Sequence, residues 1–269
     1  MRIVRFISGG TEYLGREIDP ATAYRIDGRL LDGPGGWQVT DERLRIDNLL
    51  APLVPTDILC IGLNYREHAR ESNSAVPENP MLFIKSSNTL AHPFDPIPLP
   101  KLSDQVDYEC ELAVVIGRTA KYVPRERALD YVLGYTCAND VSARDWQREK
   151  RLGGGQFARG KSFDGFCPLG PCLVTADEIP DPNALRIKTL LNGRTMQDHT
   201  TADMIFDVPA LIESLSGTMT LRPGAVILTG TPQGVGFARN PPVWLRDGDT
   251  VVVEVETIGR LENPVRRET

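Results

Sequence analysis

The chain has 269 residues, of which 41% are hydrophobic and 25% are charged, a composition typical of soluble globular proteins. The formal net charge of −6 and the lack of a basic tract argue against a nucleic-acid partner. The sequence contains neither a charged-then-apolar leader nor an apolar run of about 18 residues, which argues against secretion and against a membrane-spanning role. The five cysteines form no Cys-x-x-Cys pair, so we interpret them as buried thiols in a reducing cytoplasm.

The first 54 residues predict a small β-rich domain. Two short strands, MRIVRFI at 1–7 and ATAYRIDGRLL at 21–31, are separated by glycine and polar residues. Pro52 and Pro55 then precede the apolar segment TDILCIGLNY. We therefore place a domain boundary near residue 54, with a larger domain over 55–269.

Strands dominate the rest of the sequence, and the predicted helices are short. These helices are predicted over 64–71, about 125–132, 141–150 and about 208–215. The first is polar and flanked by turn residues, which favours a lid over a core element. The last carries Pro209 near its first position, and Asn192-Gly193 predicts a hairpin turn. The predicted fold class is α+β, mainly β, with mixed and largely antiparallel strands.

The segment VDYECELAVVIG, residues 106–117, places three carboxylates at every second position before an apolar run. On a continuous strand, Asp107, Glu109 and Glu111 would share one face, with neighbours roughly 7 Å apart. Like charges at that spacing repel, more so when the strand is partly buried. Something positive is therefore expected in front of them. If repulsion dominates, Glu109→Gln should stabilise the metal-free protein.

A divalent cation is one interpretation of this acidic face, and a solvated strand surface is the other. Mg²⁺ and Mn²⁺ prefer carboxylate oxygens and keep open positions for substrate. Asp140 is the candidate third ligand because it ends an apolar strand, although Asp at that place often caps a helix instead. Arg144 and Gln147 return to nearly the same helical face and could donate to a bound anion.

Three histidines are present, and one of them has a neighbouring carboxylate. His68 precedes Glu71 by one helical turn, so that Glu71 could orient the imidazole as a general base. The alternative is an exposed surface pair. His92 and His199 lack such a neighbour in the sequence and are interpreted as structural. Lys161 follows a glycine-rich loop and could reach an enolate or a carboxylate, although a solvated lysine is the commoner outcome.

Five motifs, in this order, resemble the fumarylacetoacetate hydrolase family: GLNYREHARE, YECELAVVIG, ANDVSARDWQ, GKSFDGF and LTGTPQGVG. The resemblance runs from about residue 56 to the end of the chain. It implies a mixed β-sandwich roll, a homodimer, and Mg²⁺ or Mn²⁺ in each subunit. The first 50 residues resemble the small, variable N-terminal domain that many members carry.

The resemblance also assigns roles to individual residues of this chain. The family's metal set matches Glu109, Glu111 and Asp140, and its catalytic residues match His68, Glu71 and Lys161. The substrate-binding residues that it implies are Arg144, Gln147, Thr231 and Tyr65. Asp107 matches no family role, so we interpret it as a residue behind the ligands or at the surface.

The activity implied by the resemblance is cleavage of a carbon–carbon bond in an acylpyruvate-like 2,4-diketo acid. In that scheme the cation stabilises an enolate, and His68 takes a proton from water. The alternatives at the same site are decarboxylation of oxaloacetate and isomerisation of a 2-hydroxy-dienedioate. A metal-binding module without catalysis is a different class, against which the His68 and Glu71 pair argues.

Leu63 stands where the acylpyruvase branch of the family commonly has an arginine for the substrate carboxylate. Either another cation, such as Arg144, Lys161 or Lys85, holds that carboxylate, or the preferred substrate is larger. We favour the second alternative and expect longer 2,4-diketo or 2-oxo-dienoate acids to be better substrates than acetylpyruvate or oxaloacetate.

Overall fold

The fold was analysed in a computed structural model that describes residues 1–33 and 35–268. The strands in this part of the chain are β1 (Arg2–Ser8), β2 (Thr11–Asp19), β3 (Thr22–Gly28), β4 (Trp37–Arg45), β5 (Asn48–Leu50), β6 (Asp57–Gly62), β7 (Met81–Lys85), β8 (Leu90–Ala91), β9 (Ile97–Leu99), β10 (Val106–Asp107), β11 (Cys110–Ile116), β12 (Val132–Asn139), β13 (Ser142–Ala143), β14 (Cys167–Thr175), β15 (Arg186–Leu191), β16 (Arg194–Thr200), β17 (Ala225–Leu228), β18 (Thr250–Val255) and β19 (Gly259–Arg267). The α-helices are α1 (Arg66–Glu71), α2 (Arg144–Arg148), α3 (Phe157–Lys161) and α4 (Val208–Thr218). Short 3-10 helices span Leu30–Asp32, Ser87–Thr89, Arg125–Tyr131, Lys150–Leu152, Ala176–Glu178, Thr201–Asp203 and Gly236–Ala238.

The larger sheet runs in the order β4-β3-β2-β1-β14-β12-β11-β17-β6-β7, with β5 beside β1 and β8 beside β14. Most neighbouring strands are antiparallel, whereas β6 runs parallel to β17. The N-terminal strands extend this sheet because β1 pairs with β14, with Arg2 opposite Val174. The domain boundary near residue 54 stays a prediction. In the structure, the strands before this boundary and the strands after it belong to one continuous sheet.

A smaller sheet, β16-β15-β18-β19-β9, packs against the larger one. The main hydrophobic core joins Leu112 and Val114 of β11 to Ile187 of β15 and Val253 of β18. Two sheets with a shared apolar interior form a sandwich, and strands outnumber helices. The predicted fold class, mainly β with mixed sheets, is confirmed.

Strand β11 is buried on both faces. Leu112 and Val114 point into the main core, and Ala113 and Val115 point into a second apolar cluster on the other face. Side chains alternate across a strand, so that only a continuous apolar run can fill both sides. This arrangement explains why the acidic segment continues directly into Leu-Ala-Val-Val-Ile.

The helices predicted over 64–71 and about 208–215 form, and the other two predicted helices differ from the expectation. The helix expected near 125–132 is the 3-10 helix Arg125–Tyr131, and the segment expected to be helical over 141–150 is divided into β13, α2 and a 3-10 turn. The predicted hairpin joins β15 to β16, where Asn192 and Gly193 have φ angles of 52° and 78°. All five cysteines are buried and free. Within the described residues, no helix combines the length and hydrophobicity that crossing a lipid bilayer requires.

Candidate active site

Four strand ends meet at one edge of the larger sheet. The start of β11 lies beside the end of β12, because Cys110 pairs with Asn139 in an antiparallel register. Strand β17 is also antiparallel to β11, and β6 is parallel to β17, with Cys60 opposite Leu228. The residues that follow β6, β12 and β17 therefore converge on the residues that precede and begin β11.

This convergence brings together the three predicted metal ligands. Asp140 follows β12, and its backbone N–H donates to the carbonyl oxygen of Glu109 at 2.9 Å. Carboxylate oxygens of Glu109, Glu111 and Asp140 all lie within 4.8 Å of one another, and all three residues are buried. Asp140 does not cap a helix, since α2 begins only at Arg144.

Three buried cations contact the cluster from different segments of the chain. Lys161 Nζ donates to Glu109 Oε2 at 2.6 Å and to Asp140 Oδ2 at 2.7 Å. Lys85 Nζ donates to Asp140 Oδ1 at 2.6 Å, and Arg144 Nη2 lies 2.7 Å from Glu109 Oε1. Lys161 is therefore a buried residue at the end of α3, and not a solvated lysine.

These cations change the electrostatics expected for Glu109. Burial opposes ionisation of Glu109, but the charges of Arg144 and Lys161 outweigh burial and lower its pKa to about 2. Burial likewise opposes the charge on Lys161, and the carboxylates of Asp140 and Glu109 raise its pKa. The sequence-based expectation that repulsion dominates at Glu109 is wrong, because that carboxylate is paired twice.

Glu111 is the carboxylate in the cluster without a cationic partner among the described residues. Its Oε2 accepts a hydrogen bond from the backbone N–H of Gly230 at 2.6 Å. Burial, with the negative charges of Asp140 and Glu109, raises the pKa of Glu111 well above its usual range. A divalent cation near these oxygens would compensate the charge that the protein leaves unpaired.

The buried cluster has one more carboxylate than it has cations, which favours the binding of a further cation. Four buried carboxylates, on Asp107, Glu109, Glu111 and Asp140, face three cations, on Lys85, Arg144 and Lys161. The donor set consists of oxygens, which Mg²⁺ and Mn²⁺ prefer. Glu109, Glu111 and Asp140 are the residues that would hold the ion.

Asp107 has a structural position that the alternation pattern did not predict. The strand is interrupted between β10 and β11. Asp107 therefore lies on the two-stranded β10–β13 sheet and not on one continuous strand with the two glutamates. It is fully buried, and Oδ2 accepts from Arg144 Nε at 2.8 Å. Oδ1 accepts from the backbone N–H of Gly236 at 2.8 Å. Asp107 is therefore not a surface residue, because it holds Arg144 and the loop after β17 in place.

Arg144 and Gln147 face the cavity from one side of α2. Arg144 Nη1 donates to Gln147 Oε1 at 3.0 Å, which leaves the amide nitrogen of Gln147 available to another acceptor. The Arg144 guanidinium also lies 4.5 Å from the ring centroid of Phe237. Burial opposes the charge on Arg144, but Glu109 and Asp107 outweigh it and raise its pKa. Arg144 is thus a permanently charged residue in this wall.

His68 and Glu71 form the predicted pair. His68 Nδ1 lies 2.7 Å from Glu71 Oε1, and Glu71 also accepts from the backbone N–H of Gly234 at 3.0 Å. A carboxylate that accepts from Nδ1–H leaves Nε2 as the basic nitrogen. Gly234 has a φ of 98°, and a Cβ there would lie 2.3 Å from the carbonyl oxygen of Met196, so glycine is required at this contact.

Helix α1, the predicted lid, is held to neighbouring segments at both ends. The backbone N–H of Glu67 donates to Asp203 at 3.0 Å near the start of the helix, and the Glu71 contact ties its end. His68 and Ala69 are buried. The inner face of the helix is therefore covered, and its role as a lid stays a prediction.

A cavity of about 400 Å³ joins the carboxylates to His68. Its lining residues are Ile61, Gly62, Leu63, His68, Ser72, Ser74, Met81, Phe83, Glu109, Glu111, Arg144, Gln147, Arg148, Gly155, Phe157, Lys161, Thr231 and Phe237. One side is charged and the other carries aromatic and aliphatic groups. This combination suits a small organic anion with an apolar segment.

Thr231 lies in the cavity wall after β17. Its hydroxyl accepts from Gln197 Nε2 at 2.8 Å, so the hydroxyl can still act as a donor. Gln197 is buried, and its Oε1 accepts from the backbone N–H of Cys110 at 3.0 Å. Gln197 thereby connects the second sheet to the start of β11.

Other sequence-based interpretations are corrected. Tyr65 is fully buried in the main core and is not among the residues that line the cavity, which argues against the predicted substrate contact. His199 does have a carboxylate neighbour, since its Nε2 lies 3.2 Å from Asp203, and His92 Nδ1 accepts from the N–H of Ala51 at 3.1 Å. Both pairs lie outside the cavity lining.

Sequence reasoning missed Gln197, Phe237 and Arg148. Gln197 and Phe237 come from segments that only the tertiary fold brings to the site, and no local pattern identifies them. Arg148 could have been found, because it follows Arg144 by four residues and therefore shares its helical face.

The comparisons with known proteins agree with this geometry. Residues 57–266 match the family model described as fumarylacetoacetate (FAA) hydrolase C-terminal. The chain is 50% identical to the mitochondrial oxaloacetate tautomerase fahd2 of Xenopus laevis over 219 residues, which cover 81% of this chain and 68% of the relative.

Two solved structures align over the complete length of both chains. A fumarylacetoacetate hydrolase from the psychrophilic Exiguobacterium antarcticum has a TM-score of 0.88 at 40% identity. A 5-carboxymethyl-2-hydroxymuconate delta-isomerase from Mycobacterium smegmatis has a TM-score of 0.85 at 40% identity. With the carboxylate cluster at the edge of its sandwich and the family match over most of its length, this chain belongs to the fumarylacetoacetate hydrolase family.

Proposed function

We propose that the protein is a divalent-metal-dependent enzyme that interconverts the keto and enol forms of a 2-oxo acid, with oxaloacetate as the first substrate to test. The observation that carries this proposal is an oriented base, His68 on Glu71, that lines the same cavity as Glu109 and Glu111. The similarity to relatives named oxaloacetate tautomerases supports the choice of substrate.

Keto–enol interconversion moves one proton between C3 and the oxygen on C2. Mg²⁺ or Mn²⁺ held by Glu109, Glu111 and Asp140 would polarise the 2-oxo group. His68 Nε2 takes the proton from C3, and Glu71 stabilises the resulting imidazolium. As negative charge develops on the C2 oxygen, hydrogen-bond donors in the wall stabilise it. His68 then returns the proton to that oxygen, so the reaction consumes no water.

Three side chains supply donors to the developing charge. The Gln147 amide nitrogen and the Thr231 hydroxyl are hydrogen-bond donors in the cavity wall. Lys161 adds a buried positive charge beside Glu109 and Asp140. Because these groups are held by neighbours before substrate arrives, little reorganisation is needed during the reaction.

Hydrolysis of a 2,4-diketo acid is the second candidate, and it is the activity expected from the sequence. The His68–Glu71 pair favours it, because the same base could activate water for attack on the distal carbonyl. Tautomerisation is proposed first because relatives are named oxaloacetate tautomerases and because the reaction needs no bound water.

The two candidates differ in their products. The Mg²⁺-loaded protein is incubated with the enol form of oxaloacetate, and the loss of enol absorbance is followed against a protein-free sample. In parallel, acetylpyruvate is incubated and analysed by NMR for acetate and pyruvate. Accelerated enol loss without cleavage supports tautomerisation, whereas cleavage without accelerated enol loss would replace it with hydrolysis.

A further inference from the structure

Arg148 is a cation of the cavity wall that forms no ion pair among the described residues. It lies at the end of α2 and lines the cavity. Its guanidinium carbon lies 4.7 Å from the centroid of the Phe237 ring, which Arg144 also contacts at 4.5 Å. This stacking restrains the guanidinium without using its hydrogen-bond donors.

The other cations near the cavity are already neutralised. Arg144 is paired with Asp107 and Glu109, and Lys161 is paired with Glu109 and Asp140. Arg144 and Lys161, which the sequence analysis considered as partners for the substrate's carboxylate, are therefore already paired within the protein. Arg148 is the exception, and a guanidinium fork suits a planar carboxylate in particular.

We propose that Arg148 binds the second, distal carboxylate of the substrate and makes the enzyme selective for dicarboxylic 2-oxo acids. The inference rests on the proposed function, since the carboxylate cluster and His68 define where the 2-oxo end lies. A dicarboxylate then spans the cavity from that end to the stacked guanidinium. A monocarboxylic 2-oxo acid leaves Arg148 without a partner.

A purely structural role for Arg148 makes a different prediction. If the side chain only packed against Phe237, its loss would disturb His68 as well, because the His68 ring centroid lies 6.2 Å from that of Phe237. Every substrate would then be affected alike. A carboxylate-binding role affects only substrates that carry the second carboxylate.

The test compares oxaloacetate with its 4-methyl ester, in which the distal carboxylate is masked and the reacting atoms are unchanged. The enzymes are the Mg²⁺-loaded wild type, Arg148→Gln, Arg148→Lys and Arg151→Gln. Arg151 is the matched control because it pairs with Glu149 at 2.6 Å, is largely exposed and does not line the cavity.

For Arg148→Gln we expect kcat/KM for oxaloacetate to fall about fivefold, because Arg148 is exposed and solvent screens its pair with a carboxylate. The kcat/KM of Arg148→Gln for the ester should stay within about twofold of the wild-type value, because the ester lacks the carboxylate that Arg148 would bind. Arg148→Lys should recover part of the loss, and Arg151→Gln should match wild type. An equal loss for both substrates, or no loss for either, would overturn the proposal, provided that melting shows the variant to be folded.

A binding measurement separates this inference from the proposed function. Calorimetry of the Mg²⁺-loaded wild type and Arg148→Gln proteins with oxaloacetate and with the ester requires no turnover. If the wild type tautomerises neither compound, the proposed function fails. The inference about Arg148 is still supported if the wild type binds the dicarboxylate more tightly than the ester and Arg148→Gln loses this preference. Equal affinities of the two compounds for wild type would contradict it.

Discussion

Replacement of Glu109 by glutamine tests the electrostatics of the site in the absence of metal. The substitution removes the carboxylate that Lys161 contacts at 2.6 Å and that Arg144 approaches at 2.7 Å. In the variant, Lys161 still pairs with Asp140 and Arg144 still pairs with Asp107, so neither cation loses all its partners. Breaking a buried pair costs about 3–5 kcal/mol, and the remaining partners place the expected loss of unfolding free energy at the lower end, about 3 kcal/mol.

The matched variant is Glu111→Gln, which keeps the size of the side chain and an oxygen that can accept from the Gly230 N–H. Because burial and the charges of Asp140 and Glu109 disfavour the ionised form of Glu111, the unfolding free energy of Glu111→Gln should equal or exceed that of the wild type. The assay is urea unfolding of EDTA-treated proteins, followed by tryptophan fluorescence. If Glu109→Gln is as stable as the wild type, or more stable, repulsion rather than pairing governs this carboxylate and the reasoning is refuted.

Four other predictions follow from the site. Activity should be lost with EDTA and restored by Mg²⁺ or Mn²⁺, and full turnover by protein shown by elemental analysis to be metal-free would contradict this. His68→Ala should lower kcat at least about a hundredfold with metal affinity retained, as measured by kinetics and calorimetry; a near wild-type kcat would exclude it as the base. Gly234→Ala should lower both melting temperature and kcat, because its Cβ would lie 2.3 Å from Met196 O and displace the loop that holds Glu71; unchanged values would show that the loop adapts. The expectation from Leu63 that longer acids are preferred conflicts with oxaloacetate as the main substrate, so kcat/KM across a chain-length series decides between the two; a best value for acetylpyruvate or oxaloacetate would refute the expectation from Leu63.

The metal-ligand cluster could be predicted because its pattern is local. Glu109 and Glu111 flank the first residue of β11, and Asp140 directly follows the next strand in the chain, β12. Antiparallel pairing of consecutive strands brings such ends together. His68 and Glu71 were also within reach of sequence reasoning, since one helical turn separates them.

The charges that surround the cluster could not be predicted in the same way. Lys85 reaches Asp140 across 55 positions of the sequence, and Arg144 reaches back 37 positions to Asp107. Such contacts depend on which strands are neighbours, and that order is set by the packing of both sheets. The break between β10 and β11 is likewise a tertiary feature, because pairing with β13 redirects Asp107. The expected homodimer and cytoplasmic location stay predictions.

Deuterium labelling at C3 of oxaloacetate tests most directly whether this cavity transfers a proton through His68. The Mg²⁺-loaded enzyme is incubated with oxaloacetate in D₂O, the product is trapped as malate by malate dehydrogenase, and NMR reports which C3 hydrogen is replaced. A base on one side of the substrate predicts deuterium at a single C3 position, in excess over a protein-free sample and absent with His68→Ala. Equal labelling of both positions, or the same labelling with His68→Ala, would contradict the account.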